Sequence, residues 1–473
     1  MAELAAWLGE GQTALETQRY AEAAGWFTKA AAALPTEWPL HQMVANAWHL
    51  AGNVLQERAA LRLAFQTARP VAVEALYALG TALLESGAPT EARECFETVA
   101  SKRPRDPAAL GALASAKRAD GDPEGAWPLV QQALTLAPRM PALLLTAAQI
   151  RHALGDTAGA RQWLTTAEQV RPGHPLQQIQ RAFSLLLEHP CHDGWAAFEA
   201  RGLPGHNGQA RDWHGEPLAG SSITVLAEQG LGDLFHFVRY VRRLEARGPA
   251  QVVVACAPSA QRLLHKSGFQ TIPAGEVPTT EWTVPLLSLP YRLGSDADTV
   301  TELVPYLRTA VPSSVGTPPV GRPPRVGVVY RGNPAFLSTT LRDLETEALS
   351  MLLATPDIQW VWLQYDAQPP ASQSVHEPLE RPELSGDWLD TALLLNTLDA
   401  VVSVDSAVAH LAGALGIPAV VLLPYSPDWR WGLQTETSLW YPSLRLARQP
   451  RPRDWNGAVR TAQRLLKQLM GAA

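Results

Sequence analysis

A chain of 473 residues with 46% hydrophobic and 18% charged positions has an ordinary globular balance and room for roughly two to four domains, and it lacks the run of about 20 apolar residues that a membrane helix needs. The net charge of −6 gives no broad electrostatic footprint for nucleic acid. Cys95, Cys191 and Cys256 are far apart and in no CxxC pairing, which argues against a disulfide framework or a zinc site. The opening MAELAAWLGEGQTALE has neither the basic start nor the apolar run of a secretory signal, so the expected compartment is the cytoplasm.

Prolines at Pro35, Pro70, Pro104, Pro138 and Pro172 recur at spacings of 35, 34, 34 and 34 residues, the tetratricopeptide period. Within each unit small and apolar residues recur at helical spacing, as in Leu76, Leu79, Gly80, Leu83, Ala92, Phe96 and Ala100. Gly52, Gly87, Gly121 and Gly155 break the first helix of their units, and the prolines stop the second. The spacing predicts about five stacked helical hairpins with a groove for a protein segment, or else a spacer or dimerisation arm. Residues 1–180 are therefore read as the repeat domain. Residues 181–220 are read as a capping helix and connector, ending in the Gly- and Pro-rich stretch Gly202 to Gly220.

From there the pattern changes to alternating strands and helices. Ile223 to Ala227 reads as a strand, Glu228-Gln229-Gly230-Leu231-Gly232-Asp233 as a turn, and Leu234 to Leu244 as a helix. Gln251 to Cys256 and Ser259 to Lys266 repeat the order. After the proline-rich Thr309 to Pro324, a second half restarts at Arg325 to Tyr330, continues through Gln359 to Leu363 and Ala400 to Val404, and ends its strands at Ala419 to Leu423. Two Rossmann-like halves, 221–312 and 320–473, are expected to face one another, with the last helix, about Trp455 to Leu469, packing back across the first half.

The Gly230-x-Gly232-Asp233 turn brings backbone close to a ligand, or is merely a tight turn in which Asp233 caps a helix. Asp405 and Ser406 stand at the end of a buried strand where a helix starts at once, so that free amides and the helix dipole suit a phosphate, with His410 more than one turn further on. In the alternative, Asp405 and Ser406 only cap the helix and His410 packs. Arg331, Asn333 and Arg342 lie after the second half's first strand, where a guanidinium suits a pyrophosphate. Asp428-Trp429-Arg430-Trp431 and Trp440-Tyr441 form an aromatic cluster, read first as core packing and second as a sugar or base platform.

Together with Gly332-Asn333-Pro334, Gly386 to Ala392, Val404 to Ala414 and Trp440-Tyr441-Pro442, these motifs resemble the tetratricopeptide-containing glycosyltransferases whose catalytic part is related to the heptosyltransferases of the GT-B fold. The resemblance implies an α-helical solenoid followed by an α/β GT-B fold of two Rossmann-like domains. It also implies an inverting, metal-independent transfer from a nucleotide sugar to Ser/Thr hydroxyls of an acceptor protein. Flagellin glycosyltransferases of this layout, some of which move nonulosonic acids such as pseudaminic acid, are the functional relatives it points to. On the family's pattern Asp233 is the general base, with Glu228 as its understudy, while Arg331, Asn333, Arg342, Asp405, Ser406, Ala407 and His410 hold the donor. The chain departs from the family after Pro334: a polar run is replaced by Ala335 to Thr340, and only Arg342 survives, so a changed donor, a lost activity or a scaffold role stays open. The one Asp-x-Asp pair, Asp296-Ala297-Asp298, falls in an expected loop.

Overall fold

The computed structural model describes residues 2–67, 73–202, 210–276, 279–294, 304–309, 322–333, 341–365, 379–433 and 435–471. Pro70, the Asp296-Ala297-Asp298 pair and the loop Pro334 to Thr340 lie outside these. Two compact units emerge, one of residues 1–172 with 333–341 and one built from residues 173–332 and 342–473.

The first unit contains five helical hairpins among the described residues. They are α1 (Ala2–Glu16) with α2 (Tyr20–Ala33), α3 (Trp38–Leu50) with α4 (Val54–Thr67), α5 (Val73–Glu85) with α6 (Pro89–Lys102), α7 (Pro107–Ala119) with α8 (Pro123–Leu136), and α9 (Pro141–Ala153) with α10 (Thr157–Val170). The glycines between paired helices, Gly52, Gly87, Gly121 and Gly155, have φ of 70, 81, 84 and 76°, a left-handed conformation that a side chain disfavours. Asp122 and Asp156 then cap the returning helices by accepting from Gly125 N and Gly159 N, each at 2.8 Å. Small residues set the interhelical distance: a Cβ on Gly80 would lie 3.0 Å from both Cys95 Cβ and the Phe96 ring. Buried alanines and leucines of consecutive hairpins run together into shared cores, as a solenoid requires.

The second unit opens with α11 (Pro175–Glu188) and α12 (His192–Phe198). It continues through β1 (Arg211–Asp212), β2 (Ser222–Leu226), α13 (Leu231–Phe237), α14 (Arg239–Glu245), β3 (Gln251–Cys256), α15 (Pro258–Lys266), β4 (Gln270–Pro273), β5 (Trp282–Pro285) and α16 (Leu289–Arg292). Its second half comprises β6 (Arg325–Val329), α17 (Thr346–Leu353), β7 (Gln359–Trp362), α18 (Trp388–Leu395), β8 (Ala400–Val404), α19 (Ala407–Leu415), β9 (Ala419–Leu423), β10 (Leu444–Arg448) and α20 (Trp455–Leu469). The strands make two sheets, ordered β1-β5-β2-β3-β4 and β10-β9-β8-β6-β7, with every strand pair parallel. Fully buried runs such as Ala400–Val404 and Ala419–Leu423 are what a parallel sheet covered on both faces demands.

One core runs through both halves, from Val225, Val254 and Val284 through Phe235 and Phe237 to Ala409, Ala412, Val401 and Val421. Three expectations need correction. The second sheet does not end at Leu423: β10 adds a strand beside β9, in a short segment whose apolar residues are interrupted by Arg445 and Arg448 and so do not form the continuous apolar run of the other strands. The helix after the glycine turn is interrupted near Val238, giving α13 and α14. The last helix packs on its own half, where Trp455, Val459 and Leu466 share a core with Val326, Trp360 and Val420. Helices α11 and α12 are part of the second unit, since Leu186, Trp195 and Phe198 join the core that both sheets share.

Candidate functional site

The turn after β2 brings its strain to an unexpected residue. Gln229 takes φ 59°, whereas Gly230 is extended and opens α13. Gly230 N donates to Asp233 Oδ2 at 3.0 Å, so Asp233 caps its own helix. Gly232 serves a close approach between helices: a Cβ there would lie 3.1 Å from His410 Cδ2 and 3.6 Å from Ala407 Cα. The first turns of α13 and α19 thus abut, and the carboxyl ends of β2 and β8 converge on one place.

Asp233 and Asp405 are brought together there. The other oxygen of Asp233 is ion-paired with Arg430, which also donates to Asp428 Oδ1 at 2.8 Å and lies against the Trp429 ring. Burial pushes the Asp233 carboxyl up; Arg430 and the Gly230 amide pull it down, and the nearby Asp428 and Asp405 add to the rise. Burial alone would lower the Arg430 guanidinium, but Asp428 and Asp233 outweigh it and hold it above its ordinary value. Asp405 is buried, with Arg342 Nη1 at 3.3 Å from Oδ2 and His410 Nε2 at 3.8 Å from Oδ1. Ser406 is the N-cap of α19 by position, yet its hydroxyl pairs with Ser403 Oγ at 2.8 Å and does not cap the helix. The structure therefore leaves the leading amides of α19 without a side-chain cap.

Behind this edge lies a buried polar chain. Tyr441 Oη stands 2.9 Å from both His410 Nδ1 and His236 Nδ1. A phenol has one proton, so it donates to one ring and accepts from the other. The Asp405 carboxylate favours a proton on His410 Nε2; His410 Nδ1 then accepts from Tyr441, and His236 donates through Nδ1–H. This leaves His236 Nε2 bare, in accord with its lack of a partner among the described residues. Burial, helped by Arg430, pushes His410 down to about 3, and burial with Arg239 lowers His236 well below its usual range. His410 is thus a neutral group that brings no positive charge of its own to a phosphate. Arg239 closes the assembly, donating to Trp440 O at 3.0 Å, Tyr306 Oη at 2.8 Å and His236 O at 2.8 Å.

Glu228 is engaged elsewhere. Arg201 grips its two oxygens at 2.7 and 3.1 Å, and Leu287 N donates to it at 3.0 Å, which ties the ends of β2 and β5 to the segment after α12. With these donors on a buried carboxylate, Glu228, expected as a second base, is held as a structural anchor. Arg331 donates its backbone N–H to Gln364 Oε1 at 3.3 Å, and Asn333 is exposed. Of the residues expected from the sequence, Asp233, Arg342, Asp405, Ser406, Ala407 and His410 are gathered. His236 and Arg239 carried no signal in the sequence reading, and Arg430 and Tyr441 entered it only as part of an aromatic cluster. The charged pair framed by tryptophans in Asp428-Trp429-Arg430-Trp431 was the available signal for Arg430. Trp429, Trp431, Trp440 and Tyr441 are all buried, which is the core-packing reading.

A tetratricopeptide repeat family matches residues 2–37, 57–108 and 77–141, and a second tetratricopeptide repeat family matches residues 117–182. The N-terminal hairpins are tetratricopeptide repeats. The chain is similar to Protein FlbA of Caulobacter vibrioides, 26% identical over an alignment of 319 residues that covers 58% of this chain and 52% of that one. It thus spans about half the length of that curated relative. Among solved structures, a tetratricopeptide repeat protein from Parabacteroides merdae is 16% identical and covers 43% of this chain and 79% of its own, with a TM-score of 0.36. YrrB, described as a TPR protein with an unusual peptide-binding site, is 14% identical, covering 36% and 88%, with a TM-score of 0.30. No helix among the described residues is long and apolar enough to cross a membrane.

Proposed function

We propose that the chain is a protein glycosyltransferase. In this reading the two-sheet unit is a GT-B catalytic part that takes a sugar from a nucleotide sugar, and the repeats hold the acceptor protein. The support comes from one observation: Asp233, at the end of a strand of the first sheet, is placed beside Asp405, Ser406, His410 and Arg342 at the matching edge of the second, against a helix start whose amides no side chain caps. Ligands of open parallel sheets bind at that edge. Asp233 takes the proton of a Ser or Thr hydroxyl as its oxygen attacks the anomeric carbon. The bond from that carbon to the phosphate oxygen breaks, and the nucleotide leaves with the electron pair. Its charge is received by the α19 amides, Ser406 and a guanidinium, with neutral His410 as an uncharged donor. Flagellin is the expected acceptor and a nonulosonic acid such as pseudaminic acid an expected sugar, both on the sequence resemblance.

Calorimetric titration with nucleotides and nucleotide sugars tests this reading. One nucleotide series should bind, and Asp233→Ala should lower transfer by about 10²–10⁴-fold while leaving nucleotide affinity within a few-fold. A chain that binds a peptide and no nucleotide would be a scaffold or chaperone, a reading favoured by the carboxylate of Asp233 being tied to Arg430. Full transfer to a free glycan without the repeats would mark a glycan or lipopolysaccharide enzyme.

A further inference from the structure

His236 of α13 and His410 of α19 come from different halves of the unit, and the Tyr441 hydroxyl stands 2.9 Å from Nδ1 of each. Shape alone holds the His410 ring: Trp431 stacks on its face with centroids 5.0 Å apart, and Gly232 leaves room for its Cδ2 edge. Such contacts cannot choose a tautomer, because they touch the ring face and a carbon, and the two neutral forms of an imidazole have the same shape. The choice falls to the hydrogen bonds. Tyr306 does not compete for the Tyr441 proton or need it, since its own hydroxyl donates to Phe235 O at 2.7 Å and accepts from Arg239 Nη2 at 2.8 Å. If Tyr441 donated to His236, a proton would stand on His236 Nε2, which is buried without a partner among the described residues, and the lone pair of His410 Nε2 would face Asp405. A stranded N–H and a lone pair set against a carboxylate both cost free energy, so donation runs from His236 through Tyr441 to His410. The proton on His410 Nε2 then lies on the Asp405 side, 3.8 Å from Oδ1 and beyond hydrogen-bond reach, while Arg342 stands 3.3 Å from the other oxygen. That N–H is not spent on Asp405.

We propose that His236 and Tyr441 are positioning residues of the donor site: their hydrogen bonds hold His410 with its single ring proton on Nε2, as an uncharged donor to an oxygen of a bound nucleotide sugar beside Asp405 and Arg342. The proposal rests on the donor-site reading above and adds two residues that reach the ligand only through a third. An ordinary histidine changes charge across the physiological range, whereas burial keeps both of these rings neutral there, so the donor keeps one form. The Tyr441 ring is packed against Gly413 of α19 and lies 4.8 Å from the Arg239 guanidinium. Tyr441→Phe therefore keeps the packing and removes only the hydroxyl that sets the direction.

Nitrogen NMR of the histidine-labelled full chain at about pH 7 reads the tautomers without any transfer assay, with His236→Asn and His410→Asn used to assign the two rings. Wild type should show His236 protonated on Nδ1 and His410 on Nε2. In Tyr441→Phe the His410 Nδ1 signal should move toward that of a bare ring nitrogen, which a merely space-filling tyrosine would not cause. UDP, GDP, ADP and CMP are then added in turn. The one that binds should shift the His410 Nε2–H signal, and Tyr441→Phe should bind it about three- to tenfold more weakly. If Tyr441→Phe does not fold, the wild-type tautomers and their response to nucleotide carry the test. A proton on His410 Nδ1, or a charged ring at either position, would overturn the proposal. So would a bound nucleotide that leaves the His410 signals unmoved, although the donor site would then stand on its other groups. No binding by any of the four nucleotides would overturn the donor site as well.

Discussion

The repeats and the two-sheet unit are specified in opposite ways. In the repeats the residues that meet are close along the chain: Gly80 meets Phe96, and Asp122 caps at Gly125. In the candidate site they are far apart, Asp233 meeting Arg430 and His236 meeting His410 through Tyr441. A local motif can be repeated and read from its period, because each hairpin poses the same packing problem. A site made by two sheet edges depends on the whole unit closing correctly, and it tolerates buried charge only where every partner arrives.

The sharpest way to break this comparison is truncation. A chain of residues 173–473 should fold and bind nucleotide yet fail to glycosylate a protein acceptor. One starting near residue 205 should not fold, because it loses Trp195 and Phe198 from the shared core and Arg201 from the buried Glu228 carboxylate. Thermal melts and circular dichroism of the two fragments decide this; two equally stable fragments would place α11 and α12 with the repeats. The same fragments mixed with flagellins, and the repeats alone tested for co-elution with them, show whether the groove recruits an acceptor.

Next in size, Arg201→Ala should destabilise by about 3–5 kcal/mol, since it strands a buried carboxylate. Adding Glu228→Gln in that background should recover part of the loss, as an amide needs no counter-ion. Chemical denaturation of the single and double variants measures both.

The buried imidazoles predict a pH dependence. His410 titrates near 3 in the folded chain, and His236 is also well depressed, so between the ordinary histidine value of about 6.5 and 3 the unfolded chain binds more protons. Their contribution is fully present above about pH 6.5 and is lost as pH falls through that window, with a limiting slope of about 1.4 kcal/mol per pH unit for each ring. His410→Asn should flatten the slope in a pH series of denaturation curves; an unaltered slope would mean that the ring is already charged in the folded state.

Smallest is the effect expected in the repeats. Gly80→Ala places a methyl 3.0 Å from Cys95 Cβ and Phe96 and should cost about 1–3 kcal/mol, read from the melting of the repeat unit. Nucleotide binding by the two-sheet unit is the control that should stay unchanged.

The sequence by itself determined the repeat period, the helical hairpins, and most strands of the two sheets. Proline, glycine and apolar spacing act over a few residues, and those rules are the same wherever the segment lies. It also marked Asp233, Asp405 and His410, because strand-turn-helix junctions announce the ligand edge of a parallel sheet. Only the tertiary structure decided what each of these residues touches. Glu228 and Asp233 sit in one turn and look interchangeable, yet Arg201 takes the first and Arg430 the second. Gly232 looked like room for a ligand and is room for α19. The final helix, amphipathic with no preference written in it for either sheet, lies on its own. Partner choice among buried charges and apolar faces is settled by which surfaces meet when distant segments pack, and no local pattern carries that information.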